Sequence, residues 1–290
     1  MRTRRPQRPS NRSIDSRLAS SRSGGSSSSV RVSARARARA AGARLLGPTT
    51  PGVIAPGSGA LVGRTPHLPH WDSLPLRELL AARLGVDLVV ENDANMAALA
   101  EHRVGAARGA RVSLTVTVGT GVGCGIVGEC GLVRGAHGGA GEIGHLPLDG
   151  RHPCGCGVPG CVEPEASGGG LVARAREAGL DVNDAAAVFA AGAAGDERAA
   201  RLIERMTDRL GALIASAVQL LDPEVVVVGG GVANAGEALF GPLRVAVRRY
   251  ALDPHGRRVR VVPAALGERA GTVGAGLAAW EAAARDGAAG

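Results

Sequence analysis

The sequence predicts an α/β fold in which buried strands alternate with amphipathic helices. The segment VDLVVE at 86–91 has the composition of a buried strand, and a helix is predicted directly after it at 94–104. Two β-rich segments follow at 112–119 and 123–129, joined by the sequence GTGVG in a hairpin-like turn. Further along, DPEVVVVGGG at 222–231 is typical of a central strand that runs into glycines. This alternation favours a sheet covered by helices.

The remaining elements are mostly helices. Ser73 is a suitable cap for a helix over 74–84. A long helix is predicted at 196–221, because its apolar residues recur at helical spacing and form one stripe that should lie against the sheet. The stripe consists of Leu202, Met206, Leu210, Leu213, Ala217 and Leu221. The other predicted elements are helices at 163–178 and 184–193, near 235–249 and near 270–285, and a strand at 259–263.

The positive charge is concentrated at one end of the chain. The formal net charge of the 290 residues is +8, and no basic residue is a lysine. Residues 1–50 contain 12 arginines and one acid, a net charge of +11, which leaves −3 for residues 51–290. The Arg/Ser-rich segment 1–50 has almost no apolar periodicity, so we predict that it is disordered. Because the rest of the chain is mildly acidic, nucleic acid is not expected as a partner of this sequence.

Three of the five cysteines are packed into one short segment, which argues against a disulfide framework. This segment predicts metal ligation in a reducing cytoplasm. Separately, no apolar stretch in the sequence is long enough to predict a membrane span. His145, Cys154, Cys156 and Cys161 together form the donor set of a closed tetrahedral zinc site. His152 is the alternative fourth ligand, but it lies only two residues before Cys154, so we prefer His145. Cys124 and Cys130 lie in or beside strand patterns, where cysteines are more often core residues than ligands.

Two groups of polar residues indicate a ligand site: one lies at the end of a predicted strand, and the other surrounds the predicted zinc loop. Asp93 follows a predicted strand and precedes a helix, which is where an open α/β sheet presents polar residues to a ligand. Asn92 and Asp93 are also favoured helix caps, so this pair has a purely structural interpretation as well. Glu142, His145 and Glu163 surround the predicted zinc loop, where they could accept hydrogen bonds from a polyhydroxyl ligand. Glu163 could alternatively stabilise the start of a helix.

Two glycine-rich turns could approach a nucleotide. Gly119, Thr120, Gly121 and Gly123 lie between two predicted strands, where backbone N–H groups could contact an anion. The run Gly229–Gly231 follows a buried strand and could admit a flat purine. Each turn alone is more often a glycine turn without a ligand. Together, with a polar site between them, they favour a nucleotide cleft.

Residues 51–285 resemble the ROK family of repressors, open reading frames and sugar kinases. The resemblance rests on PGVIAPGSGALVGRTPHLPHW, ENDAN, GTGVGCGIV, GAHGGAGEIGH with CGCGVPGCVE, and VVVVGGGV. It implies an actin-like (ribonuclease H-like) fold with two α/β lobes that close over ATP and a hexose. Residues 51–111 would then be the remnant of the first lobe, and residues 112–290 would form the second lobe with the zinc loop and the adenosine-binding region.

The resemblance also implies roles for particular residues. Asp93 would be the general base that accepts the proton of the sugar hydroxyl. The sugar would be held by Asn92, Asp93, Gly121, Glu142, His145 and Glu163, with Gly52 and Thr65 as further contributors. The two glycine turns would bind ATP with Mg²⁺, and His145 would contact both zinc and sugar. The expected partners are a hexose or N-acetylated hexose, ATP and further copies of the same chain, in the cytoplasm.

The sequence departs from the family pattern at its N-terminal end. Family members begin with a hairpin that carries a D-x-G-G-T phosphate loop, and residues 1–50 contain no such motif. A misassigned start, a frameshift or, less plausibly, a transit peptide would explain this segment. We therefore expect a glucokinase-like hexose kinase whose phosphoryl transfer is impaired. The alternative is a sugar-sensing transcriptional regulator, although no helix-turn-helix pattern is recognisable in residues 1–50 either.

Overall fold

The centre of the structure is a five-stranded mixed sheet. The computed structural model describes residues 45–63, 71 and 73–288. The strand order in this sheet is β11-β10-β7-β8-β9; β10 pairs in parallel with β7 and β11, and the pairs β7–β8 and β8–β9 are antiparallel. Its strands are β7 (Ser113–Val118), β8 (Val122–Gly128), β9 (Gly131–Leu132), β10 (Val225–Gly229) and β11 (Arg260–Pro263). The predicted hairpin and the predicted central strand are therefore confirmed.

Helices precede, follow and connect these strands. In chain order they are α1 (Leu76–Leu84), α2 (Asp93–Val104), α3 (Glu163–Ala166), α4 (Gly168–Glu177), α5 (Ala185–Ala193), α6 (Glu197–Leu221), α7 (Glu237–Tyr250), α8 (His255–Arg258) and α9 (Ala270–Ala288). Short 3₁₀ turns lie at Ile143–His145, Gly231–Ala235 and Gly267–Arg269. The helix predicted at 163–178 is divided in two, because Ser167 adopts an extended conformation and caps α4 by accepting a hydrogen bond from the Gly170 N–H.

One face of the sheet packs on the large hydrophobic core. Leu114, Val116 and Val118 alternate along β7 and belong to this core together with Val226 and Val228 of β10. The apolar stripe of α6 lies in the same core: Met206, Leu210, Leu213 and Ala217 are buried, whereas Leu202 is partly buried and Leu221 is 36% exposed at the end of the helix. The stripe is thus confirmed except at its last residue, which immediately precedes the helix C-cap.

The opposite face of the β7–β8 hairpin is in contact with α2. A side-chain carbon at Gly125 would lie 2.4 Å from the Ala98 Cβ, and one at Gly123 would lie 3.0 Å from the Ala94 Cβ. Glycine at these two positions therefore allows the helix to lie close against the strand. α9 packs on α2 in turn, and a Cβ at Gly274 would lie only 1.8 Å from the Met96 carbonyl oxygen.

The part of the chain before α2 contains short strands and a separate small core. The parallel pairs are β1 (Leu45–Leu46) with β5 (Asp87–Leu88) and β2 (Thr49–Thr50) with β6 (Glu91–Asn92); β3 (Val53–Ile54) and β4 (Leu61–Val62) are antiparallel. The buried residues of the small core are Ile54, Leu61, Leu76, Leu88 and Val90. Residues 45–50 thus contribute two strands, so the end of the predicted disordered segment at residue 50 is too late.

Two local predictions before α2 are corrected by the structure. The single strand predicted at 86–91 is two short strands, because β5 and β6 pair with different partners. Ser73 does not cap a helix: its hydroxyl accepts a hydrogen bond from the Gly63 N–H, and the helix begins only at Leu76, after Pro75. Proline favours the start of a helix over its interior, which fixes this later boundary.

Some predictions concern residues outside the described part of the chain. Residues 1–44 and Thr65 are among these, and the division into lobes near residue 111 remains a prediction.

Among the residues that the structure describes, no helix combines the length and the apolar composition that a membrane crossing requires. Cys124 is buried in β8, as expected for a core residue, whereas Cys130 is exposed.

The close packing of α9 on α2 can be tested by substitution of one glycine. We expect Gly274→Ala to lower the free energy of unfolding by about 1–3 kcal/mol, because the added methyl group would collide with the backbone of α2. Gly276→Ala in the same helix is the matched control, since no atom lies within 4 Å of its added carbon. That control should be neutral or stabilising by up to about 1 kcal/mol. Urea denaturation measures both effects, and equal stability of the two variants would contradict this packing.

Candidate active site

Asn92 and Asp93 lie at the junction between β6 and α2. The Asn92 carboxamide oxygen accepts a hydrogen bond from the Asn95 N–H at 3.1 Å, and its amide group donates to the Gly52 carbonyl oxygen at 3.1 Å. Asn92 is therefore the helix cap, as the structural interpretation predicted. Asp93 is the first residue of α2, and one of its carboxylate oxygens accepts from the Ala94 N–H at 2.9 Å. Its side chain is exposed, so a substrate can reach the carboxylate.

A buried carboxylate beneath this junction fixes the position of Asn92. Glu91 has a side chain that is only 5% exposed, and its Oε1 accepts hydrogen bonds from the Asn92 N–H and the Asn95 amide, both at 3.0 Å. Its Oε2 forms an ion pair with the Arg134 Nε at 2.5 Å. Arg134 lies just before the segment that contains Glu142. Glu91 therefore connects the strand end that precedes Asp93 with the polar loop. No pattern in the sequence indicates this pair, because Glu91 lies in a strand pattern and its partner is 43 residues away.

Glu142 has the carboxylates of Glu163 and Asp93 as near neighbours. The Glu163 Oε2 accepts a hydrogen bond from the Val122 N–H at 3.0 Å, at the first residue after the GTG turn. The Glu142 side chain is 41% exposed, and its Oε2 lies 3.8 Å from the His145 Nε2. Partial burial raises the pKa of Glu142; His145 acts in the opposite direction, and the nearby carboxylates of Glu163 and Asp93 raise the pKa further. The structure thus brings together the acidic residues that the sequence predicted for the sugar site.

The four predicted metal ligands form one cluster. The His145 Nδ1 lies 3.6 Å from the Cys154 Sγ and 3.9 Å from the Cys161 Sγ, and the Cys156 and Cys161 sulfur atoms are 3.3 Å apart. All four donor atoms lie within 4.8 Å of one another. Tetrahedral zinc with Zn–S bonds of about 2.3 Å places neighbouring sulfur atoms roughly 3.8 Å apart. The arrangement therefore fits a closed metal site.

His152, the alternative ligand, has another partner. Its Nδ1 lies 2.5 Å from the Oε1 of the buried Glu165, which also accepts a hydrogen bond from the Arg151 N–H at 3.1 Å. The cluster therefore contains His145 and not His152, in agreement with the preferred prediction. Burial, with the thiols of Cys156 and Cys154 close by, raises the pKa of Cys161 to about 12. A bound cation would reverse this effect, because metal ligation favours the thiolate.

The two glycine turns approach the same region. The Gly119 carbonyl oxygen accepts a hydrogen bond from the Gly169 N–H at 3.2 Å, so this turn contacts the start of α4. Gly230 has a φ of 85°, and a side-chain carbon at this position would lie 2.4 Å from the Val118 carbonyl oxygen, so only glycine fits there. Thr120 is exposed at the turn, and Gly231 opens the 3₁₀ turn that follows β10. Gly123, in contrast, is explained by its contact with α2.

A cavity of about 210 Å³ joins several of these elements. It is bounded by α2, by β7 and the end of β10, and by residues 264–271, which run from the end of β11 to the first residues of α9. Its lining residues include Asp93, Thr115, Thr117, Gly229, Gly230, Ala264 and Gly267. Thr115 is 1% exposed, and its hydroxyl has no hydrogen-bond partner within the described part of the chain. Asp93 and the second glycine turn therefore line one cleft.

Comparison with known proteins identifies the family. The family model described as ROK family matches residues 32–282. The chain belongs to the ROK family. A glucokinase from Thermotoga maritima is 36% identical over 243 residues, which cover 77% of each chain. The ROK hexokinase structure from Thermus thermophilus has a TM-score of 0.76 and 39% identity, and the match covers 87% of this chain and 85% of that one.

A third relative is a ROK family glucokinase from Streptomyces griseus, solved in complex with glucose and AMPPNP. Its structure has a TM-score of 0.73 and 33% identity, with 81% of each chain covered. The predicted actin-like α/β fold class is confirmed by these ROK structures. The relatives also support the predicted function of a ROK sugar kinase, and they give less support to the regulator alternative.

The ion pair of Glu91 and Arg134 can be tested through stability. We expect Arg134→Ala to lower the free energy of unfolding by about 1–3 kcal/mol, because it leaves the buried Glu91 carboxylate without its cation. The partial exposure of Arg134, at 37%, keeps the loss below that of a fully buried pair. Arg201→Ala removes the exposed pair with Glu197 and should change stability by no more than about 0.5 kcal/mol. Equal losses in chemical denaturation would show that Glu91 does not need Arg134.

Proposed function

We propose that this ROK protein transfers the γ-phosphate of ATP to a hydroxyl group of a hexose, with Asp93 as the general base. The observation that carries the proposal is the position of the Asp93 carboxylate. It is exposed, it begins α2, it lies near Glu142 and Glu163, and it lines the cavity that Gly229 and Gly230 also line. A carboxylate between a polyhydroxyl site and a nucleotide cleft is placed to accept a proton from the attacking hydroxyl group.

The hexose would be held by acceptors on three different segments. Asn92 and Asp93 come from the start of α2, Glu142 and His145 from the polar loop and Glu163 from α3, with Gly121 in the adjacent turn. Carboxylates are pure acceptors, so several of them at one place favour a ligand rich in hydroxyl donors. The 3.8 Å between the Glu142 Oε2 and the His145 Nε2, and the effect of the Glu163 carboxylate on the pKa of Glu142, support a common site for one sugar ring, whether or not the sugar is N-acetylated.

ATP with Mg²⁺ would bind along the two glycine turns. The backbone N–H groups of Thr120 and Gly121 would face the phosphates, and Gly229–Gly231 would border the adenosine. The Gly119 N–H, in contrast, donates to the Gly121 carbonyl oxygen at 3.0 Å, and Gly123 is paired with Thr117 in the hairpin. Phosphoryl transfer depends mainly on positioning and on stabilisation of the charge that develops. Residues 1–50 contain no D-x-G-G-T motif, so the phosphate contacts proposed for this chain are those of the two glycine turns.

Zinc is proposed as a structural ion held by His145, Cys154, Cys156 and Cys161. With its Nδ1 facing the sulfur atoms, His145 keeps Nε2 free to face Glu142 and the sugar. The metal would therefore fix the orientation of the imidazole ring as well as the fold of the loop. A reduced cysteine set of this kind fits a cytoplasmic protein.

The kinase proposal is tested by binding and turnover in parallel. We expect calorimetry to detect binding of glucose or a related hexose and of Mg-ATP. The Glu142→Gln variant should bind hexose about 10- to 100-fold more weakly, since one acceptor is lost. Asp93→Asn should lower phosphoryl transfer by about 10²–10⁴-fold without a comparable loss of sugar affinity. Asp87→Asn is the control, because this exposed carboxylate on β5 lies outside the site.

The outcomes distinguish a kinase from a sensor. Turnover that falls in Asp93→Asn and persists in Asp87→Asn supports the proposal. Hexose binding with no phosphoryl transfer in any variant would instead favour a sugar-sensing protein. A chain that binds neither hexose nor ATP would rule out both functions.

The zinc proposal has a separate test. Elemental analysis of the purified protein should give close to one zinc per chain, and Cys156→Ser combined with Cys161→Ser should abolish retention because two of the four ligands are lost. Cys130→Ser is the control, since this exposed cysteine does not belong to the cluster. Full zinc retention in the double variant would disprove the assignment.

A further inference from the structure

Glu101 is a fully buried carboxylate that none of the proposed steps uses. It lies on the third turn of α2, on the same helix as Asp93, and its exposure is 0%. Every hydrogen bond that the described part of the chain gives to this carboxylate comes from a backbone N–H group. A buried acid is costly unless its oxygens are well satisfied, so its place in the fold needs an explanation.

The donors come from two separate segments. The Glu101 Oε2 accepts from the Ala106 N–H at 2.7 Å and from the Ala265 N–H at 3.1 Å, and its Oε1 accepts from the Leu266 N–H at 2.8 Å. Ala265 and Leu266 follow β11 and belong to the segment 264–271, which forms one wall of the cavity. The carboxylate therefore fastens this wall to the helix that carries Asp93.

The surrounding chain leaves room for the carboxylate. A side-chain carbon at Gly105 would lie 2.2 Å from the Glu101 Oε2, so any larger residue there would displace the acid. An amide at position 101 could not replace the carboxylate fully, because its NH₂ group is a donor and would face backbone donors. This arrangement therefore needs both an acidic residue at position 101 and a glycine at position 105.

The position of the wall matters for one of the two substrates. It lines the same cavity as Asp93, Gly229 and Gly230, and its first residue is bonded to β10, since the Ala264 N–H donates to the Val228 carbonyl oxygen at 2.9 Å. Glu101, which binds this wall, is eight residues from Asp93, or about 12 Å along α2. The proposed sugar ligands Glu142, His145 and Glu163 are not among the residues that line this cavity. A loosened wall would therefore disturb the nucleotide side of the cleft first.

We infer that Glu101 is a positioning residue for the nucleotide: its carboxylate holds the 264–271 wall in place, so that it sets the affinity for ATP and not the affinity for hexose. This inference rests on the proposed kinase function. Glu101 is itself one of the residues around the cavity, but its side chain is fully buried and both carboxylate oxygens accept from backbone N–H groups, so it is assigned no chemical step.

The experiment combines hydrogen–deuterium exchange with calorimetry on the full chain. In Glu101→Gln, the amides of Ala106, Ala265 and Leu266 should exchange at least about tenfold faster, and Mg-ATP should bind about tenfold more weakly, as expected for a lost hydrogen bond to a charged group. Glucose affinity should stay within about twofold of the unsubstituted chain, well below the roughly tenfold loss expected for Mg-ATP. Gly105→Ala keeps Glu101 but pushes its carboxylate away from the three N–H groups, so it should have the same effects. This second variant tests the inference if Glu101→Gln does not fold.

Asp196→Ala is the matched control. Asp196 also accepts backbone hydrogen bonds, from the Arg198 and Ala199 N–H groups, but it caps α6 outside the cavity. This variant should lose stability and keep both affinities. Unchanged exchange at the three amides, unchanged ATP affinity, or an equal loss of glucose affinity in the Glu101 and Gly105 variants would overturn the inference. A wild-type chain that binds neither ATP nor glucose would instead overturn the proposed function.

Discussion

The close approach of α2 to the β7–β8 hairpin is the constraint on which the rest of the site depends. The helix can lie this near because Gly123 and Gly125 present no side chains to it. On its other side, α9 reaches the backbone of α2 at Gly274. A helix held on two sides at backbone distance has little freedom to shift, because interiors are packed as densely as crystals. The positions of Asp93 at its start and Glu101 near its end follow from this packing.

Acidic side chains make most of the connections around this helix. Glu91 joins the strand end to Arg134, Glu163 joins the cysteine loop to the hairpin, and Glu165 contacts His152. Each accepts hydrogen bonds from the backbone or from a cationic partner, which offsets the cost of removing a carboxylate from water. The same residue type therefore serves two purposes: some carboxylates remain accessible for a ligand, and others are consumed in holding the loops that present them.

The sequence was informative where the signal is periodic or chemically unusual. The strands of the hairpin, the central strand, the long helix and the four members of the Cys/His cluster could all be predicted, because burial and metal ligation restrict the residue types strongly. The boundaries before α2 could not, since short strands such as Thr49–Thr50 gain their order from partners about 40 residues away. Glu91, Arg134 and Glu101 were missed for a related reason. Their partners are distant in sequence, or are backbone groups, which no residue pattern reveals.

The four-residue helix α3 has a consequence for how the site responds to its ligands. Glu163 extends one carboxylate oxygen to the Val122 N–H and the other to within 3.6 Å of the Cys154 Sγ. One side chain thus spans the hairpin turn and the cysteine loop. This shared carboxylate offers a direct route by which binding at the cluster and binding at the turn could affect each other. Thermodynamic coupling of this kind is reciprocal: if an ion in the cluster strengthened binding at the turn, binding at the turn would strengthen binding of the ion by the same factor.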